Sequence, residues 1–129
     1  MQFMLLVYID DARLAELPDG EFDRHMRECL VSADALRAEG RLLDSQQLEP
    51  PSTARAVRHR DGAVRISDGP FAETKEFLAG FNLIEAADLD EAVGIAEAMP
   101  WTRYGAIEVR AVRDIDAVRR RVGAGASET

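Results

Sequence analysis

A chain of 129 residues with 47% hydrophobic and 31% charged residues can bury one core, so a single domain is expected. Sixteen basic and 24 acidic side chains give a formal charge of −8. That balance argues against nucleic acid and against anionic membranes, both of which attract positive surface. Cys29 is the sole cysteine, so no intramolecular disulfide forms, and no Cys/His cluster has zinc spacing. No metal and no cofactor is therefore expected. The N-terminus lacks a basic leader, and its apolar run is too short to span a bilayer. A reducing cytoplasm is the expected compartment.

Phe3 to Ile9 is apolar at every position, the pattern of a strand buried on both faces. Asp10 and Asp11 end it. Asp19-Gly20 opens a helix in which Phe22, Met26, Cys29, Leu30, Ala33 and Leu36 recur at helical spacing, with Gly40 as the stop. Leu42 to Leu48 is a second strand, broken by Pro50-Pro51. Thr53 to Arg60 and Ala63 to Ser67 form a hairpin closed by Asp61-Gly62, a type I′ turn signal. That turn pairs His59 with Val64, Arg58 with Arg65 and Val57 with Ile66. Phe77 to Glu85 is a further apolar strand. Asp88 to Glu91 reads as a capping box before a helix with its stripe on Leu89, Ala92, Val93, Ala96 and Met99, ended by Pro100. Ala106 to Val112 alternates as a last strand, and residues 114–129 read as a helical end and mobile tail.

The order β-α-β-(ββ)-β-α-β predicts an α+β fold, a ferredoxin-like βαββαβ sandwich with an inserted hairpin. Two helices cover one sheet face, yet the first and fifth strands are apolar on both. The second face then needs a second copy of the chain, so a homodimer is expected.

The richest stretch is Asp68-Gly69-Pro70-Phe71-Ala72-Glu73-Thr74-Lys75-Glu76, a sharp turn, an aromatic anchor and four ionisable groups in nine residues. Asp68 is a candidate general acid/base, or else a turn residue accepting backbone N–H bonds. Glu73, Lys75 and Glu76 suit either a polar ligand or a loop-ordering ion pair, which at a surface contributes about 0–1 kcal/mol. Arg58 and Arg65 face each other across the hairpin, a destabilising pairing that carboxylates, solvent or a bound anion relieves. His25, flanked by Asp23, Arg24 and Arg27, is assigned to the exposed side of its helix, and His59 to the apolar, partly buried side of the hairpin. Cys29 lies on the core stripe as a small hydrophobe. Trp101 and Tyr104 suit a pocket mouth or a dimer seam.

The nine-residue stretch closely resembles the signature of the YCII-related proteins of the DGPF type. Met4-Leu5-Leu6-Val7-Tyr8, Leu48-Glu49-Pro50-Pro51, Gly80-Phe81-Asn82-Leu83-Ile84, Asp90-Glu91-Ala92 and Arg103 to Arg110 resemble further segments of that family, so the likeness spans roughly residues 2–112. It implies a dimeric α/β barrel, with residues 1–113 as the domain. It implies no settled activity, and some members are encoded beside extracytoplasmic-function sigma factors. A shorter YCII-type branch is proposed to use a His–Asp pair. Its helical position falls here near Cys29, and its second segment reads Ala98-Met99-Pro100-Trp101. Neither half of that pair carries over.

Two functions follow as expectations. One is a dimer binding a small polar or anionic molecule in a cleft near residues 68–76. Asp68, Glu73, Lys75, Arg58 and Arg65 would line it, with metal-free acid/base chemistry the only reaction type these residues support. The other is a non-catalytic regulatory module whose acidic surface suits a basic protein partner, for example alongside such a sigma factor.

Overall fold

The structure is a computed structural model and describes residues 1–70 and 74–125. It is an α+β fold of a four-stranded antiparallel sheet, a separate two-stranded hairpin and four helices. The strands are β1 (Gln2–Asp10), β2 (Leu42–Gln47), β3 (Arg55–Arg60), β4 (Ala63–Asp68), β5 (Glu76–Glu85) and β6 (Gly105–Ala111). The helices are α1 (Asp11–Ala15), α2 (Glu21–Ala38), α3 (Leu89–Glu97) and α4 (Ile115–Val122). The large sheet runs β2-β5-β1-β6, and β3 pairs only with β4.

The strand β1 lies at the centre because both of its faces are apolar. Phe3, Leu5, Val7 and Ile9 point toward the helices and are buried. They meet Ala33, Leu36, Ala92, Ile95 and Ala96 at one end, and Leu14, Met26, Cys29 and Trp101 at the other. The opposite face carries Met4, Leu6 and Tyr8, paired with Leu83, Phe81 and Leu78 of β5.

Local signals explain the boundaries. Gly40 has φ +75°, and Arg41 N–H reaches back to Leu36 O at 2.9 Å, closing α2 with a left-handed residue. Asp88 Oδ1 accepts Glu91 N–H at 2.8 Å, while Glu91 Oε2 accepts Ala87 N–H, one residue before the expected partner of the box. The hairpin has the expected register, and Asp61 and Gly62 both take positive φ. Close approach demands Gly105, where a Cβ would lie 1.9 Å from Tyr8 O.

Several details depart from the sequence reading. Asp10 does not merely end β1: its side chain accepts Ala12 N–H at 3.0 Å and caps α1, a helix too short to show a period. Leu30 and Leu89, placed on core stripes, are exposed, and Ile95 takes a core position instead. His59 is exposed, on the side of the hairpin where Val57, Val64 and Ile66 are also exposed. The C-terminal segment forms a full two-turn helix capped by Asp114. Glu73, Phe71 and the residues beyond 125 lie outside the described residues. Among the described residues, no helix is long and apolar enough to cross a membrane.

Candidate functional site

A cavity of about 250 Å³ lies between α2 and the helix-facing side of the sheet. Its floor is Val7 and Ile9 of β1 with Phe77, Ala79 and Asn82 of β5; its roof is Phe22, Met26 and Cys29 of α2, with Trp101 closing one side. The room comes from a backbone irregularity. Val7 pairs with Gly80 and Tyr8 with Leu78, so Ala79 is an extra residue, a β-bulge. Beside it, Gly80 puts no side chain opposite Val7. A Cβ there would sit 2.5 Å from Gln46 O, so the close approach of β2 requires the glycine.

The polar groups around the cavity are few. Ser45 Oγ donates to Asn82 Oδ1 at 2.7 Å. Gln47 Nε2 donates to Met26 Sδ at 3.1 Å, and Trp101 Nε1 donates to Cys29 Sγ at 3.0 Å. Burial raises the Cys29 thiol above its ordinary value of 9.0, with the indole N–H acting in the opposite direction. Cys29 is thus a neutral thiol at pH 7 and no ready nucleophile. A second groove, about 580 Å³, separates α2 from α3 and shares Cys29 and Asn82 with the first. Arg41 at its edge pairs with Glu91 at 3.1 Å and with Glu39 at 3.4 Å.

Against the side of α2 lies a buried polar pair. His25, assigned by its neighbours to the surface, is 3% exposed. Its Nε2 shares a 2.7 Å hydrogen bond with the Tyr104 hydroxyl, and the rings stack at a tilt with centroids 5.3 Å apart. The physical reason is geometric: His25 lies one turn before Cys29 and faces the 3-10 turn Pro100–Arg103, which sequence periodicity could not place over α2. Its Nδ1 has no hydrogen-bond partner among the described residues and lies 3.7 Å from Glu28 Oε2. Nearby, the Arg24 guanidinium bonds Glu21 and holds its carboxyl below the usual value.

Of the five residues singled out in the sequence, four are described, and they lie on the hairpin, at its end and beside the cavity. Arg58 and Arg65 face each other across the hairpin, as the turn dictates. Asp68, at the end of β4, is 90% exposed at its side chain and pairs with Arg55 at 3.1 Å. Gly69 turns there with φ +84°, its N–H bonded to Ala54 O. Glu73 lies outside the described residues. Lys75 approaches the cavity end: its Nζ lies 3.7 Å from Asp10 Oδ2, and the adjacent Asp11 lines the cavity. Asp10 is 3% exposed and also faces Arg13 at 3.8 Å. Among the described residues no cluster of three His, Cys, Asp or Glu side chains is placed to hold a metal.

Sequence reasoning missed Asn82, Gln47, Met26 and Asp10. Two signals were available: Asn82 is the one polar residue within Phe77 to Ile84, and Gly80 interrupts the same strand. The Trp101 indole N–H joins the segment 98–101 to Cys29 of α2.

An uncharacterised protein of Rhizobium meliloti (strain 1021) is 38% identical over 114 residues, 85% of this chain and 90% of the relative. A distant likeness exists to the solved 5-chloro-2-hydroxyhydroquinone dehydrochlorinase of Burkholderia phenoliruptrix AC1100 in complex with 2,5-dihydroxybenzoquinone. There the identity is 14% and the TM-score 0.45, over 88% of this chain and 94% of the other. The model of the YCII-related domain matches residues 1–116, and the chain belongs to that family.

Proposed function

We propose that this YCII-related protein binds a small molecule in the cavity between α2 and the sheet, as a homodimer of ferredoxin-like, DGPF-type domains. The observation that carries the reading is the cavity itself: a bulge and a glycine open it in an otherwise continuous strand. Its size and apolar lining with few polar groups suit a small ligand. Lys75 and the buried Asp10 tie the 68–76 segment to the α1 end of that cavity. They supply the groups for metal-free acid/base work there.

The dimer rests on three exposed or half-exposed apolar surfaces. Met4, Leu6, Tyr8, Leu78, Phe81 and Leu83 share the sheet face away from the helices. Val57, Val64 and Ile66 stand 63–69% exposed on the hairpin, and Ile115 and Val122 are exposed on α4. In that dimer the hairpin of one protomer would reach its partner and set Asp68, Arg58 and Arg65 near the partner's cavity mouth. A thermal-shift fragment screen tests the small-molecule reading, with Ala79→Phe as a cavity-filled control. Hits that raise the Tm of the wild type and leave Ala79→Phe unmoved support it. Hits that act equally on both contradict it.

The exposed aliphatic face of the hairpin also favours a second reading, a non-catalytic module that docks a protein partner, for instance beside an extracytoplasmic-function sigma factor. Sedimentation of the protein alone separates the two. A monomer with that face open favours the module, and a dimer that Val64→Asp dissociates favours the first reading.

A further inference from the structure

Three side-chain N–H donors around the α2–sheet region end on sulfur. Trp101 Nε1 meets Cys29 Sγ at 3.0 Å, Gln47 Nε2 meets Met26 Sδ at 3.1 Å, and Asn82 Nδ2 meets Met99 Sδ at 3.9 Å. All three donor residues line the same 250 Å³ cavity. Thiol and thioether sulfurs are weak acceptors, so each N–H is held by less than an oxygen would give it. Indole and amide donors ordinarily find oxygen when buried, as Trp101 is and Asn82 partly is, while the Gln47 amide is exposed.

The arrangement is also fixed. Ser45 Oγ donates to Asn82 Oδ1 at 2.7 Å, which turns the Asn82 oxygen toward β2 and leaves its amide N–H groups for the interior. Ser45 pairs with Asn82 and Gln47 with Gly80, so Gln47 and Asn82 are diagonal neighbours on one face of the β2–β5 ladder, within reach of one ligand. Charge at the cavity selects further. Among the described residues no lysine or arginine lines it, while the Asp11 carboxylate does. A bare anion gains nothing there.

Resting on the small-molecule reading above, we infer that the ligand is a neutral aromatic or apolar compound bearing a carbonyl-type oxygen. Gln47 and Asn82 are its specificity-determining donors, and Trp101 lies against it. The oxygen replaces sulfur as the acceptor, and the ring replaces solvent against Phe22, Phe77 and Met26.

Acetophenone, ethylbenzene and benzoate make the test, because the first two share a shape and differ in the oxygen, and the third adds charge. Trp101 is the sole tryptophan, so its indole N–H gives one resonance to follow by NMR titration. The expected result is that acetophenone shifts this signal and binds about tenfold more tightly than ethylbenzene, the ratio worth one hydrogen bond. The preference collapses toward unity in Gln47→Met and in Asn82→Leu. Gln47 is exposed, so Gln47→Met keeps the fold even where Asn82→Leu does not. Equal binding of acetophenone and ethylbenzene, or tighter binding of benzoate, overturns the inference and leaves the cavity reading intact. No movement of the indole signal by any of the three overturns both.

Discussion

The two faces of this molecule differ in what holds them. On the helix-facing side, β1 and β5 lock Leu5 and Ile84 out of solvent completely, and α2, α3 and the 3-10 turn at Trp101 close over them. The β3–β4 hairpin, by contrast, is exposed at every position except Ala56, and aliphatic and arginine side chains stand in solvent. The most distinctive sequence of the chain leaves from the end of that hairpin, whereas the cavity lies under the plainest part, the apolar strand Phe77 to Ile84. A cavity needs only a bulge, a glycine and a few donors among ordinary core residues.

Substitutions sharpen that contrast, and the largest effect is expected at a glycine. Gly105→Ala drives a Cβ into the Tyr8 carbonyl of the central strand, where backbone cannot yield as a side chain would. A loss of about 3 kcal/mol or more is expected, read as the shift in a urea midpoint. Leu5→Ala, at a site with no exposure, is expected to lose about 2–5 kcal/mol from the removed methyl groups and the void. The same truncation on the hairpin, Val64→Ala, is expected to change unfolding of a monomer by no more than about 0.5 kcal/mol. A larger loss at high protein concentration that shrinks as the protein is diluted would show the hairpin covered by a second copy.

Tyr104→Phe tests the buried polar pair. It removes the hydroxyl from His25 Nε2 and leaves that nitrogen buried, at a cost of about 1–3 kcal/mol in the same denaturation measurement. An effect near zero would show that solvent reaches His25. At the exposed end of the range, Arg55→Ala breaks the surface pair with Asp68 and a side-chain bond to Ala54 O, and about 0–1 kcal/mol is expected.

The pH dependence follows from the two shifted groups that bear on the helix-covered side. The Cys29 thiol is raised by burial, so its contribution is fully present below the ordinary value of 9.0 and is lost as pH rises through the higher folded value. Alkylation of Cys29 at pH 8 should accordingly run slower than that of a free thiol, and slower again with the cavity filled. The Glu21 carboxyl is lowered by Arg24, so its contribution holds above 4.5 and is lost as pH falls below that. It lies at the protein surface, partly open to solvent, so the acid effect should be small and salt-sensitive.

Much of the fold was legible because its signals are local. Asp61-Gly62 fixes the hairpin register, Gly40 ends α2, and Asp88 begins α3. The site was not, because it depends on which elements pack together. His25 sits among charged neighbours in sequence, yet α2 turns it under Tyr104, seventy-nine positions away. Asn82 looks like an interruption until Ser45 and Met99 are placed beside it. Asp10 reads as a strand end, but its burial comes from the three cationic and backbone groups that gather on it, Lys75, Arg13 and the Ala12 N–H.

The central claim is that a small molecule enters beneath α2 and leaves the other sheet face alone. The chain has four methionines, and two of them separate these places: Met26 lines the cavity and Met4 stands on the open face. With methyl-labelled methionine, the account predicts that a bound fragment moves the Met26 methyl signal and leaves Met4 in place. Movement of Met4 with Met26 unchanged would contradict it.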